Sequence, residues 1–127
     1  MEQIDDKKIA NILMKLSGSK FRSSFKLEKH DIDYISNKGL DVIEKHTRDF
    51  IHKRLAPGNI PNDGKQTPFK GHPTFKAQHA TATCCRTCLF KWHHISNNKE
   101  LTQLEEDYIV EVIINWIKRQ YNSKNIN

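Results

Sequence analysis

Hydrophobic residues recur at helical spacing along most of the chain, and this pattern predicts an all-α fold. The clearest case follows Thr102 and Glu105, which form a capping box. After it, one apolar stripe contains Tyr108, Ile109, Val112, Ile113, Trp116 and Ile117. An earlier stripe of Ile9, Ile12, Leu13 and Leu16 predicts a first helix capped by Asp5. Two more helices are predicted, one from Asp31 to about Gly39 and one from Leu40 to about Leu55.

The helical pattern is lost between Ala56 and Gln78, where all 4 prolines lie. A long segment of this kind in a compact domain is usually either functional or disordered. Because Phe69 and Phe75 can anchor it, we predict an ordered loop that leads into a helix from Cys84 to about Ile95, capped by Thr83.

The sequence therefore predicts a small, single-domain helical bundle of about five helices spanning residues 1–127. Its ordered core is expected from about residue 4 to residue 121, with residues 122–127 frayed. Residues 20–27 are predicted to be extended, with Phe21, Phe25 and Leu27 on one side.

The positive charge of the chain is concentrated in its middle. Residues 51–99 contain eight Lys and Arg against a single carboxylate, Asp63, which gives +7 against a net charge of +6 for the whole chain. Such a basic segment indicates a phosphate-bearing partner, although a solvated basic loop has the same composition.

No run of apolar residues is long enough for a transmembrane helix, and the N-terminus does not resemble a signal peptide. We therefore expect a cytoplasmic protein without a membrane partner. In that compartment thiols stay reduced, which argues against a structural disulfide.

The segment "HATATCCRTCLFKWHH" contains every cysteine of the chain and predicts a zinc site. Cys85 and Cys88 have the C-x-x-C spacing of zinc ligands, and His93 and His79 are the candidates to complete a tetrahedral set, with His72 as a further source. Two alternatives stay open. C-x-x-C at a helix start is also the local form of a dithiol redox site. Alternatively, Cys85 and Cys88 could pack with Leu89 and Trp92 as a buried stripe.

The basic loop is the candidate binding surface for nucleic acid or another phosphate-bearing ligand. The residues expected to contact phosphate are Arg54, Lys65, Gln66, Lys70, Lys76 and Arg86. Phe69 or Phe75 could stack on bases. The alternative is a small metal-dependent hydrolase or nucleic-acid-processing enzyme that uses Asp63, His72 and His79 as catalytic residues. A regulatory interaction protein is a third hypothesis, and it predicts an exposed apolar patch.

Several stretches of the chain resemble one uncharacterised family of bacterial and phage proteins, catalogued as domain of unknown function 4186. They are "SKFRSSFKL", "RLAP", "NDGKQTP", "GHP", "QHATATCCRTCLFKWH" and "YIVEVIINWI". The resemblance extends over nearly the whole chain, from about Leu13 to Lys118. It implies a small single-domain protein and carries over no activity, cofactor or substrate.

Overall fold

A computed structural model describes residues 5–125 of the chain, and over those residues the protein is all-α. The seven helices of this part of the chain are α1 (Asp6–Ser17), α2 (Lys20–Ser23), α3 (Lys29–Lys38), α4 (Leu40–Arg54), α5 (Pro73–Ala80), α6 (Arg86–His93) and α7 (Gln103–Asn125). None of them is both long and apolar enough to cross a bilayer.

The long helix α7 is the centre of the bundle, with α4 and α5 packed on one side and α1 on another. Its residues Ile109, Ile113 and Ile117 are fully buried in the main core with Ile43 and Ile51 of α4. Val112 packs in a second cluster with Ile9 and Leu13 of α1. The stripe read from the sequence of α7 is therefore core, as predicted.

Three predicted helix starts are confirmed, and two of them have the predicted side-chain caps. The Asp5 side chain accepts a hydrogen bond from the backbone N–H of Lys7 at 2.9 Å. In the capping box before α7, the Glu105 N–H donates to Thr102 Oγ1 and the Thr102 N–H donates to Glu105 Oε1. Helix α4 begins at Leu40, as its pattern predicts. These starts could be read from sequence because each depends on residues within one helical turn.

Two helices were not predicted. Residues 20–23 form α2 rather than an extended strand, because Ser19 caps the turn by accepting from the Arg22 N–H at 3.2 Å. Helix α5 occupies the second part of the predicted loop, so the irregular segment ends at His72 instead of Gln78. Every residue of α5 is buried, including its polar ones, so its sequence has no alternation of apolar and polar positions.

Three boundaries also differ from the prediction. Helix α3 begins at Lys29, and Asp31 is its third residue, where it completes a capping box with Glu28. Helix α6 begins at Arg86 and is capped by Cys85, whereas the sequence predicted a start at Cys84 under a Thr83 cap. Helix α7 is described as far as Asn125, beyond residue 121, where the ordered core was expected to end, and residues 126 and 127 of the expected frayed tail lie outside the described residues.

Candidate metal centre

A buried turn links α5 to α6 and places the cysteines. Between Thr81 and Arg86 every residue is buried, and Ala82 has a left-handed φ of 58° that lets the chain reverse. The turn is held by internal hydrogen bonds. Gln78 Nε2 donates to the carbonyl of Thr83 at 2.9 Å, and Thr67 Oγ1 donates to the carbonyl of Cys84 at 2.8 Å. These hydrogen bonds fix the backbone of the turn beside the cysteines.

The start of α6 then brings the third cysteine to the first two. Cys85 caps the helix by accepting from the Cys88 N–H, with a nitrogen–sulfur distance of 3.4 Å. The three Sγ atoms of Cys84, Cys85 and Cys88 lie within 4.8 Å of one another. Cys84 and Cys85 are buried, and Cys88 is partly exposed, so the cluster lies just beneath the surface.

Arg22 of α2 points its guanidinium group at this cluster. Its Nη2 atom donates to Cys88 Sγ at 3.1 Å, and its Nη1 atom donates to Cys84 Sγ at 3.5 Å and to the carbonyl of His79 at 2.7 Å. Arg22 was not among the site residues predicted from the sequence, because it lies 62 and 66 residues from the cysteines that it contacts. The one sequence signal that links them is that "SKFRSSFKL" shares its family resemblance with the cysteine segment.

The three thiols and Arg22 lie so close together that they shift the pKa values of the thiols in opposite directions. Hydrogen bonds from Cys84 and Cys85, reinforced by Arg22, hold the pKa of the Cys88 thiol well below its usual range. Hydrogen bonds to Cys84 and Cys88, together with burial, raise the pKa of Cys85. The Cys85 contact lowers the pKa of Cys84, but the contact to Cys88 and burial together leave it raised. Of the three thiols, Cys88 is therefore the one whose charged form this arrangement favours most.

The histidines predicted as metal ligands lie outside the cluster. His93 is engaged at both ring nitrogens, with Nδ1 2.8 Å from Tyr108 Oη and Nε2 2.8 Å from the carbonyl of Thr81. His79 Nε2 lies 3.1–3.2 Å from the carbonyls of Thr67 and Pro68, and its ring is stacked on that of Phe69. Burial lowers the pKa of both histidines. Each supports the turn or the loop, and Cys84 takes the place in the cluster that a histidine was expected to fill.

His72 is the N-cap of α5. Its Nδ1 atom accepts from the Thr74 N–H at 3.0 Å, which places the ring proton on Nε2, and this atom lies 3.1 Å from His46 Nδ1. His46 is half-buried, and its ring packs edge-on against the ring of His72.

Asp63 is the anchor between the loop and α6. Its Oδ1 accepts from the Arg86 N–H at 2.9 Å, and its Oδ2 accepts from the Thr87 N–H at 2.9 Å and from Thr87 Oγ1 at 2.7 Å. Gln66 Nε2 donates to the same carboxylate. Burial acts to raise the pKa of Asp63, but these hydrogen bonds outweigh it and lower the pKa. Asp63, His72 and His79 therefore each have separate partners, and the structure does not bring them together as a catalytic set.

Two of the predicted phosphate-binding residues are buried in the fold. Lys76 is 6% exposed, and its Nζ atom lies 2.6 Å from Asp31 Oδ2 and 3.1 Å from Glu28 Oε1. Burial lowers its pKa, but these two ion pairs raise it overall. The expectation that Lys76 contacts phosphate is corrected, because its charge is already neutralised by two carboxylates.

Arg86 is only 2% exposed and is bonded to backbone carbonyls. Its Nη1 atom donates to the carbonyls of Leu55, Ala56 and Pro57, and its Nη2 atom donates to those of Ser96 and Lys99. Arg86 thus joins the end of α4 to the segment before α7. The expectation that it contacts phosphate is also corrected, because its guanidinium group is buried and already bonded to carbonyls. The exposed members of the predicted set are Arg54, Lys65 and Lys70.

Comparison with known proteins gives a family without a described activity. No solved structure matches this chain. The family model described as "Domain of unknown function (DUF4186)" matches residues 10–118, a range that contains α2, the buried turn and all three cysteines. The chain therefore belongs to the DUF4186 family.

Proposed function

We propose that this protein binds one thiophilic metal ion, zinc in the first instance, through Cys84, Cys85 and Cys88. The observation that carries the proposal is the mutual separation of the three Sγ atoms, all within 4.8 Å. Sulfur atoms bound to one tetrahedral zinc ion lie about 3.8 Å apart, since each Zn–S bond is about 2.3 Å. The site therefore needs a contraction of about 1 Å at most.

The chemistry of the donors fits a soft ion. Thiolates select Zn²⁺, Cu⁺ and iron–sulfur clusters over hard cations such as Mg²⁺ and Ca²⁺. Three protein ligands leave one position of a tetrahedral ion open for water or another molecule, as in catalytic zinc sites. All three sulfur atoms would bind the ion as thiolates, so the cluster releases its thiol protons when the ion binds.

Arg22 supports the proposal by its charge. Three thiolates and a divalent cation have a net charge of about −1, which a guanidinium group beside the sulfur atoms balances. A cluster that served only as packing would have no need of a cation 3.1 Å from Cys88 Sγ. This contact therefore favours a site in which the sulfur atoms carry charge.

Zinc competition against a chromophoric chelator tests this proposal on the reduced, full-length protein. We expect one equivalent of zinc per chain, and Cys84→Ser, Cys85→Ser and Cys88→Ser should each weaken binding at least about 100-fold. His94→Gln, an exposed change next to α6, is the control and should bind like the wild type. Undiminished binding in Cys88→Ser would contradict the proposal. The proposal would also be contradicted if the wild-type protein bound no zinc and instead formed a disulfide between two of its thiols on mild oxidation.

A second candidate function is binding of single-stranded nucleic acid by the loop of residues 56–72. Asp63, the one carboxylate of residues 51–99, is held by hydrogen bonds at the start of α6, and the loop has two lysines, Lys65 and Lys70, against it. Lys65 and Lys70 are exposed, and Phe69 beside them is 63% exposed. Cations next to an accessible aromatic ring are the elements of a single-strand binding surface.

Fluorescence anisotropy with a labelled single-stranded oligonucleotide tests this second function. Affinity should fall at least about tenfold between about 50 mM and about 200 mM salt. It should also fall in the double variant Lys65→Glu/Lys70→Glu and be unchanged in Lys45→Glu, an exposed change on α4. Equal binding by both variants, or an affinity that does not respond to salt, would contradict the binding of nucleic acid by this loop.

A further inference from the structure

A cavity of about 410 Å³ lies between α1, α7 and the segment that includes α2. Leu16, Phe25 and Trp116 supply much of its apolar wall. Leu16 is buried, and the two aromatic rings are half-buried. The cavity is of the size at which proteins bind small organic molecules.

Three cations line the same cavity: Arg22, Lys26 and Arg119. No carboxylate is found among its lining residues in the part of the chain that the structure describes. The side chains of Lys26 and Arg119 are exposed, whereas Leu16 is buried, so the charges lie toward the outside and the apolar surface lies toward the inside. A site built in this way attracts an anion and buries whatever apolar group is attached to it.

Arg22 belongs to both this cavity and the cysteine cluster. A guanidinium group has five N–H donors, and the contacts described to Cys84, Cys88 and the His79 carbonyl use three. Two of its N–H groups take no part in these three contacts. The Arg22 side chain can thus contact an anion without releasing the sulfur atoms.

We propose that this cavity binds a small organic anion with a flat apolar body, such as an aromatic carboxylate, sulfonate or phosphate monoester. The anionic group would lie among Arg22, Lys26 and Arg119, and the apolar body against Phe25 and Trp116. The proposal does not depend on metal binding, because none of its lining residues is a cysteine.

The probe that tests it is 8-anilinonaphthalene-1-sulfonate, an aromatic anion that fluoresces when it enters an apolar site. We expect saturable binding of one molecule per chain, with energy transfer from tryptophan and weaker binding as salt is added. Arg119→Glu should weaken binding at least about fivefold, because it reverses one of three charges at the site. Lys118→Glu is the matched control, since Lys118 is an exposed neighbour on α7 outside the cavity lining, and it should bind like the wild type.

Two further measurements test the role of the charge and the independence of this site from metal binding. N-phenyl-1-naphthylamine, which has the aromatic body without the charge, should bind at least about fivefold more weakly than the sulfonate. Titration in the presence of a metal chelator should give the same affinity for the sulfonate, so a failure of the metal proposal leaves this one intact. Equal affinities of Arg119→Glu and Lys118→Glu, or of the charged and uncharged probes, would overturn the proposal.

Discussion

Replacing Arg86 with methionine should lower the free energy of unfolding by about 4 kcal/mol. The guanidinium group of Arg86 donates to five backbone carbonyls, three at the end of α4 and two between Ser96 and Lys99. Without it these acceptors lose their shared donor, and each buried acceptor left unsatisfied costs about 1–3 kcal/mol. Urea denaturation followed by circular dichroism measures the change.

Two other substitutions separate this effect from a loss of charge. Arg86→Lys keeps the charge but has three N–H donors on one nitrogen, so it should recover less than half of the lost stability. Lys91→Met removes an exposed cation of α6 and should change stability by less than about 0.5 kcal/mol. A loss below about 1 kcal/mol in Arg86→Met would show that Arg86 is not the clamp described here.

Acidification should destabilise the protein between pH 6.5 and pH 4 through His72. Burial, and secondarily the proximity of His46, lower the pKa of His72 from 6.5 to about 4. The unfolded chain then binds a proton in this range that the folded chain does not, so stability is full above pH 6.5 and is lost as the pH falls toward 4. The second proton would have to go to Nδ1, the atom that caps α5, so protonation also removes the cap.

His72→Asn isolates this contribution, because asparagine can cap a helix but does not titrate. Chemical denaturation at a series of pH values should give the wild type an extra loss of up to about 3 kcal/mol between pH 6.5 and pH 4, relative to the variant. The contributions of His79 and His93, whose pKa values burial also lowers, are common to both proteins and cancel in the difference. Parallel pH profiles for wild type and variant would show that the His72 cap does not govern acid stability.

The sequence predicted the parts of the fold that depend on local pattern. Helix α7 carries a regular stripe and a capping box within a few residues, and both were visible. Helix α5 was missed for the opposite reason, since all of its residues are buried and its polar ones are satisfied by distant partners. A helix surrounded by protein leaves no periodic signal in its own sequence.

The candidate site shows the same limit. The C-x-x-C spacing pointed to Cys85 and Cys88, but the choice between Cys84 and a histidine depends on how the turn at Ala82 folds. The concentration of positive charge in residues 51–99 likewise predicted that Lys76 and Arg86 are surface cations. Both are buried, Lys76 against carboxylates and Arg86 against backbone carbonyls from other parts of the chain. Spacing in the sequence can identify candidate ligands for a site, but the tertiary fold determines which of these side chains come into contact.

X-ray absorption spectroscopy at the zinc edge, on the protein loaded with one equivalent of zinc, tests the central claim most directly. Three thiolates from one chain predict a first shell of three sulfur atoms at about 2.3 Å and one lighter atom at about 2.0 Å. The Cys84→Ser protein, if it still holds zinc, should show one sulfur atom fewer. A first shell of nitrogen and oxygen atoms alone, or one that Cys84→Ser leaves unchanged, would contradict the assignment of this cluster as a three-cysteine metal site.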